Sequence, residues 1–188
     1  MPRSSQTFSL RDALLEQARR EMLRRKQAES TSIDFPDWLK EVSPDFTWDW
    51  AYLQYIQAHL QKVTDGEIRK LMLFMPPRHG KSALTTVRYP IYRMERNSGI
   101  RVMLGCYDQS LANLFSRQSR RIAQDRGFRG GEIRAQDEWE TIGGGSFRAV
   151  GVGGGITGRG ADLIVIDDPI RSREEANSER WRDRIFDW

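Results

Sequence analysis

The stretch Leu71-Met72-Leu73-Phe74-Met75-Pro76-Pro77-Arg78-His79-Gly80-Lys81-Ser82 decides how the rest of the chain reads. Five apolar residues between Lys70 and Pro76 predict a short buried strand. A tight, proline-bounded loop follows and passes through Gly-Lys-Ser into a helical pattern over 81–96, bent or shortened at Pro90. Phosphate binding needs this order of parts. Glycine lets backbone N–H groups turn inward, and the helix start adds positive potential. A lysine can then reach the β and γ phosphates, and a serine hydroxyl can face Mg²⁺. The full pattern asks for glycine five residues before Gly80, where Met75 stands, so the match is partial.

Outward from this loop the chain alternates. Residues 50–63 read as a helix ended by Thr64-Asp65-Gly66. Residues 101–107 read as a strand, and Asp108 caps a helix through about Gln124. Residues 137–142 and 146–152 flank Gly143-Gly144-Gly145 as a hairpin. Leu163-Ile164-Val165-Ile166 is a further buried strand. Strands alternating with helices predict an α/β fold, a mainly parallel sheet with helices on both faces.

That last strand ends in Asp167-Asp168. A carboxylate at a strand tip beside a phosphate loop can hold the shell of Mg²⁺, and a second can orient or deprotonate water. Asp167-Asp168-Pro169 also suits the plain end of a strand. Two halves in this order, each after its own strand, point to a nucleoside triphosphate site.

Composition narrows the classes. The chain has 188 residues, enough for one domain with a core. Mean hydropathy is −0.65, and no apolar run approaches the ~20 residues of a membrane span. The first ten residues, MPRSSQTFSL, lack the apolar stretch of a secretory signal. One cysteine, Cys106, with only His59 and His79, excludes a disulfide framework and a Cys/His zinc site. A cytosolic compartment fits. Lysine stands only at 26, 40, 62, 70 and 81, so arginine makes up the rest of the 30 basic residues. Arginine favours bidentate contact with phosphate, and a polyanionic partner or a solvated basic surface both suit this balance.

Three segments complete the reading. Leu10, Leu14, Ala18 and Met22 recur at helical spacing among arginines and predict a basic amphipathic helix in 1–30, docked on its own domain or touching DNA or an acidic membrane surface. The aromatics of 31–50 (Phe35, Trp38, Phe46, Trp48, Trp50) are expected to cover a core edge or to floor a pocket. Gly153-Gly154-Gly155-Ile156-Thr157-Gly158 fits a dinucleotide fingerprint, but that fingerprint must open a helix and this run leads to a strand. A loop near phosphate fits better, with Arg159 contacting phosphate or DNA, or lying solvated. Arg117, Arg120 and Arg121 share one helix face, which suits a duplex backbone or simply solvent. Arg78, inside the loop, can reach the γ-phosphate.

PPRHGKS (76–82), RVMLGCYDQSLANLFSRQSRRI (101–122) and GGGITGRGADLIVIDDPIRSREEANSERWRDRIFDW (153–188) together resemble the ATPase domain of the large terminase subunit of tailed bacteriophages, from about Phe46 onward. The resemblance implies a P-loop NTPase of the additional-strand class over 46–188, with 1–45 as a helical and aromatic lead-in. It implies hydrolysis of ATP with Mg²⁺ to drive double-stranded DNA into a prohead. Partners would be the small terminase subunit, the portal and further copies in a ring, in the cytoplasm of a host cell.

Residue by residue, the resemblance implies that Arg78, His79, Gly80, Lys81 and Ser82 hold the nucleotide. Ser82 and Asp167 would serve the metal. Many relatives carry Glu directly after the metal-holding Asp; here Asp168 takes that place as the water-orienting acid, with Glu174 and Glu175 as substitutes. Gln54 lies in the region of the family's adenine element, near Trp48, Trp50 and Tyr52. DNA contacts would fall on Arg117, Arg121 and Arg159. The family continues into a coupling strand and a metal-dependent nuclease, so the 188 residues are expected to be its nucleotide-binding part. Two alternatives stand beside it: a remnant that binds nucleotide or DNA without turnover, and another DNA-remodelling ATPase of helicase type.

Overall fold

The computed structural model describes residues 14, 15, 17, 18, 21, 22, 33–130, 135–156, 158 and 160–188. Helix α1 spans Phe35–Val42 and α2 Ala51–Thr64. A π-helical segment, Ala83–Arg88, runs into α3, Tyr89–Arg96. Strand β1 (Arg101–Cys106) leads to α4 (Gln109–Asp125), then β2 (Arg129–Gly130), β3 (Glu138–Thr141) and β4 (Ser146–Gly151). Strand β5 (Leu163–Asp167), α5 (Arg173–Asn177) and α6 (Glu179–Asp187) follow.

The sheet order is β2-β3-β4-β1-β5. Its centre is parallel: Leu104 of β1 aligns with Ala149 of β4 on one side and Val165 of β5 on the other. The β2-β3-β4 side is antiparallel and includes the expected hairpin. The molecule is therefore α/β with a mixed, centrally parallel sheet.

Coverage of the two faces is unequal. Val102, Leu104 and Cys106, with their partners Phe147 and Ala149, join the buried cluster that includes Leu84, Tyr92 and Ala112 from the helices. On the opposite face, the open side of Gly105 meets the Trp188 ring, and Trp188 Nε1 donates to the Gly154 carbonyl. Ile166, the β5 partner of Gly105, stays exposed there, as does Ile164. A side chain at Gly105 would collide with Trp188, so glycine is needed for this close approach.

Leu71–Met75 corrects the expectation of a buried strand: the stretch adds no strand to the sheet. Leu71, Leu73 and Met75 lean on the core while Met72 and Phe74 are 77% and 87% exposed. The segment is thus held by alternate side chains, and Pro76 and Pro77 offer no N–H groups to extend a ladder. Just ahead of Pro90, where a bent or shortened helix is expected, the chain runs as the π-helical segment. Proline cannot donate back to the preceding turn, and the wider register ends at that point, while Arg88 Nη1 donates to the Ala83 carbonyl.

Helix α1 lies in the aromatic stretch 31–50, for which no helix is expected from the sequence. Asp34 caps it by accepting from the Asp37 N–H, and Pro36 sits in its first turn. Phe35, Trp38 and Leu39 are fully buried in the common core, so this part of the lead-in belongs to the domain. The later aromatics close a core edge: Phe46 and Trp48 stack at 5.2 Å, and the buried Arg88 guanidinium lies over both rings. In the N-terminal segment Leu14, Leu15 and Met22 are exposed rather than docked, and Leu10 lies outside the described residues.

Helices α1, α3 and α4 are tied by one arginine. Arg126 forks onto Glu95 at 2.6 Å and reaches Glu41 at 2.7 Å, while Trp38 Nε1 also donates to Glu95. Burial opposes the Arg126 charge, but the hydrogen bonds to Glu95 and Glu41 outweigh it and raise its pKa above the ordinary value. Glu95→Gln leaves a half-buried cation short of its partner and is expected to cost about 2 kcal/mol. A fall in Tm of about 4–8 °C, followed by circular dichroism, checks this.

Candidate functional site

The site lies where the turn over residues 76–82 meets the carboxyl ends of β1 and β5, the edge at which parallel α/β sheets bind ligands. Gly80 has φ +82°, and its Cα faces Leu53 of α2, so the start of α2 adjoins the turn. Arg78 also occupies the left-handed region, at φ +63°. The turn delivers Lys81 and Ser82 into the first helical turn, where the Leu84 N–H donates to the Gly80 carbonyl.

Strand β5 brings the acids. Asp167 is buried, 4% exposed, and Asp168 is one residue further, 67% exposed, at φ +42°. Lys81 Nζ lies 2.5 Å from Asp168 Oδ1 and 3.2 Å from Asp167 Oδ1. Burial lowers the Lys81 pKa, while hydrogen bonds to Asp168 and Asp167 raise it by more, so the net shift is upward. A loop lysine and a strand-end acid pair, far apart in sequence, are thus brought into direct contact.

The other expected residues fall in three places. His79 Nδ1 sits 2.8 Å from the Pro77 carbonyl, and its ring meets Tyr52 of α2 edge-on at 6.0 Å, so the aromatic start of α2 borders the loop. Gln54 is exposed on α2. The buried glutamine there is Gln57, which donates to the Trp48 carbonyl and serves the fold. Glu175 is occupied locally: its carboxylate accepts from the Arg171 N–H, while its own N–H donates to Ser172. Glu174 is exposed in the first turn of α5.

Arg117 and Arg121 are exposed one turn apart on α4, while Arg120 donates to the Ala135 carbonyl. They lie about 12–20 Å down the helix from Asp108, at its site end. Arg159 lies outside the described residues. The glycine run opens no helix: Gly153 and Gly158 take positive φ, and the chain proceeds to β5.

Sequence reasoning missed two arginines at this edge. Arg171 stacks over Tyr107, which directly follows β1. Arg184 stacks on Trp181 and lies against Gly153. Ser172-x-x-Glu175 and Ser178 were the available cues for α5 and α6. Cys106, at the tip of β1, is buried. Burial pushes its thiol up to about 12, and the charges of Asp167, Asp108 and Asp168 add to the shift. At pH 8 only about 10⁻⁴ of molecules then carry the thiolate. Cys106 is accordingly expected to label with a thiol reagent only as fast as the protein opens; labelling across a denaturant series checks this.

Ser82, Asp167 and Asp168 present hard oxygen donors of the kind Mg²⁺ takes. Among the described residues no group of three or more His, Cys, Asp or Glu stands ready to hold a metal. Among the described residues no helix is long and apolar enough to cross a membrane. No protein-family model matches the chain, and no curated protein matches it either.

Proposed function

We propose that this chain is the ATP-hydrolysing part of a DNA-packaging motor of the large terminase kind, built on a P-loop fold of the additional-strand class. The observation that carries the reading is the convergence of Lys81, just after the left-handed Gly80, on Asp167 and Asp168 at the tip of β5. A phosphate-binding turn and a carboxylate pair at the same sheet edge are the parts that phosphoryl transfer to water requires.

In this reading the turn and Lys81 hold the β and γ phosphates, and Arg78 closes on the γ-phosphate from within the loop. Ser82 and Asp167 would hold Mg²⁺, which when bound would neutralise charge on the phosphate oxygens. Asp168, exposed and one residue beyond, orients the attacking water and accepts its proton. Tyr52 and His79 border the place a base would take. Arg117 and Arg121 offer a surface to double-stranded DNA, with the small terminase subunit, the portal and further copies as partners in a ring.

Steady-state release of phosphate from ATP with Mg²⁺, with and without double-stranded DNA, tests the reading. Turnover that depends on Lys81 supports it. A second reading, nucleotide binding without turnover, is favoured by one observation: Leu71–Met75, the segment leading into the loop, is not joined to the sheet. ATP binding with no phosphate release would select that reading.

A further inference from the structure

We infer that Lys81 and the acid pair Asp167–Asp168 form a latch, in which the lysine fills the cation place between the two carboxylates until a triphosphate draws it away. The inference rests on the nucleotide reading above and concerns the regulation of the same site.

The geometry is that of a shared cation. One ammonium with three donors meets an oxygen of each acid, at 2.5 and 3.2 Å. A buried carboxylate needs a compensating charge, and Lys81 supplies it to Asp167. Asp168 reaches the same nitrogen from a left-handed backbone conformation, which aspartate tolerates better than most residues with a Cβ. Mg²⁺ binds carboxylate oxygens at about 2.1 Å, so it cannot share this space with the ammonium, and the two charges repel. A lone divalent cation therefore meets an occupied site. Triphosphate oxygens offer Lys81 a more highly charged partner; once it turns to them, both acids face an open cation place. Metal and triphosphate should then bind with positive coupling of about tenfold or more.

The test reads metal binding without nucleotide, using Mn²⁺ alone followed by electron paramagnetic resonance on the full chain. Lys81→Met should tighten Mn²⁺ binding by about tenfold or more, and adding Asp167→Asn should abolish the gain. Equal Mn²⁺ affinity in Lys81→Met and the parent would overturn the latch, as would a gain that survives in the double variant. If Lys81→Met fails to fold, a second measurement decides. Asp168→Asn alters an exposed residue, and should speed acylation of the Lys81 amine severalfold, with Lys40 and Lys62 unchanged, by peptide mass spectrometry. An unchanged Lys81 rate overturns the proposal. Neither readout involves turnover. A chain that shows the latch but releases no phosphate removes the enzyme reading alone. Hydrolysis without a gain in Mn²⁺ binding removes the latch alone.

Discussion

Lys81→Ala is expected to lower phosphate release from Mg²⁺·ATP by about 10³-fold or more, since on the proposed reading it removes the charged group that would stabilise the transferring phosphoryl. The substitution also leaves Asp167, buried at the end of β5, without its cation. Removing one partner of a buried pair destabilises, here by about 2 kcal/mol because solvent reaches the Asp168 side of the cluster. The two effects separate experimentally. Circular dichroism shows the fraction folded, and phosphate release per folded molecule shows the chemistry. Full turnover in a folded Lys81→Ala chain would take Gly80-Lys81-Ser82 out of the reaction.

Asp168→Asn is the second large effect. On the proposed reading Asp168 accepts the proton of the attacking water, which an amide cannot do, so turnover should fall by about 10²-fold. The kinetic pattern is as informative as the size. A neutral amide would hold Lys81 less firmly than the carboxylate does, so the resting contact that competes with nucleotide weakens. The Michaelis constant should therefore stay level or fall while kcat drops: level for a group that acts only in the transition state, lower where the lost contact also opposed nucleotide binding. Unchanged kcat would move the role to Glu174, because the Glu175 carboxylate already accepts from the Arg171 backbone.

Much of this was legible in the sequence where one local signal sufficed. Asp108 accepts from the Leu111 N–H at the start of α4, as its place before the apolar period implies. Gly66 takes φ +82° just beyond α2, as a helix stop requires. That the turn carrying Lys81 shares a sheet edge with Asp167 and Asp168 was legible from the Gly-Lys-Ser turn and the end of β5; the direct ion pairs between them were not, and the strand expected before the turn is absent.

What escaped depends on tertiary contact or on competing signals. The aromatic density of 31–50 hid α1, although Asp34 and Pro36 carried a helix-start signature. Within Leu71–Met75 nothing marks a segment outside the sheet; only the following Pro76 and Pro77 weigh against a ladder, and the five apolar residues look the same whether a neighbouring strand pairs with them or not. The Arg126–Glu95–Glu41 tie joins three helices, and no spacing in one helix predicts it. The left-handed backbone of Arg78 and Asp168 likewise has no glycine to announce it.

The half-covered sheet bears on how this molecule behaves at the bench. Met72, Phe74, Ile164 and Ile166 expose apolar surface in the native state, and exposed apolar surface is what fluorescent hydrophobic dyes bind. Such a dye should therefore glow in the presence of the folded protein at low temperature, before any melting. A dye-monitored melt would start from a high baseline and blunt the loss expected for Glu95→Gln. High concentrations of sulfate, which strengthen apolar association, should drive the native chain to self-associate well before it unfolds.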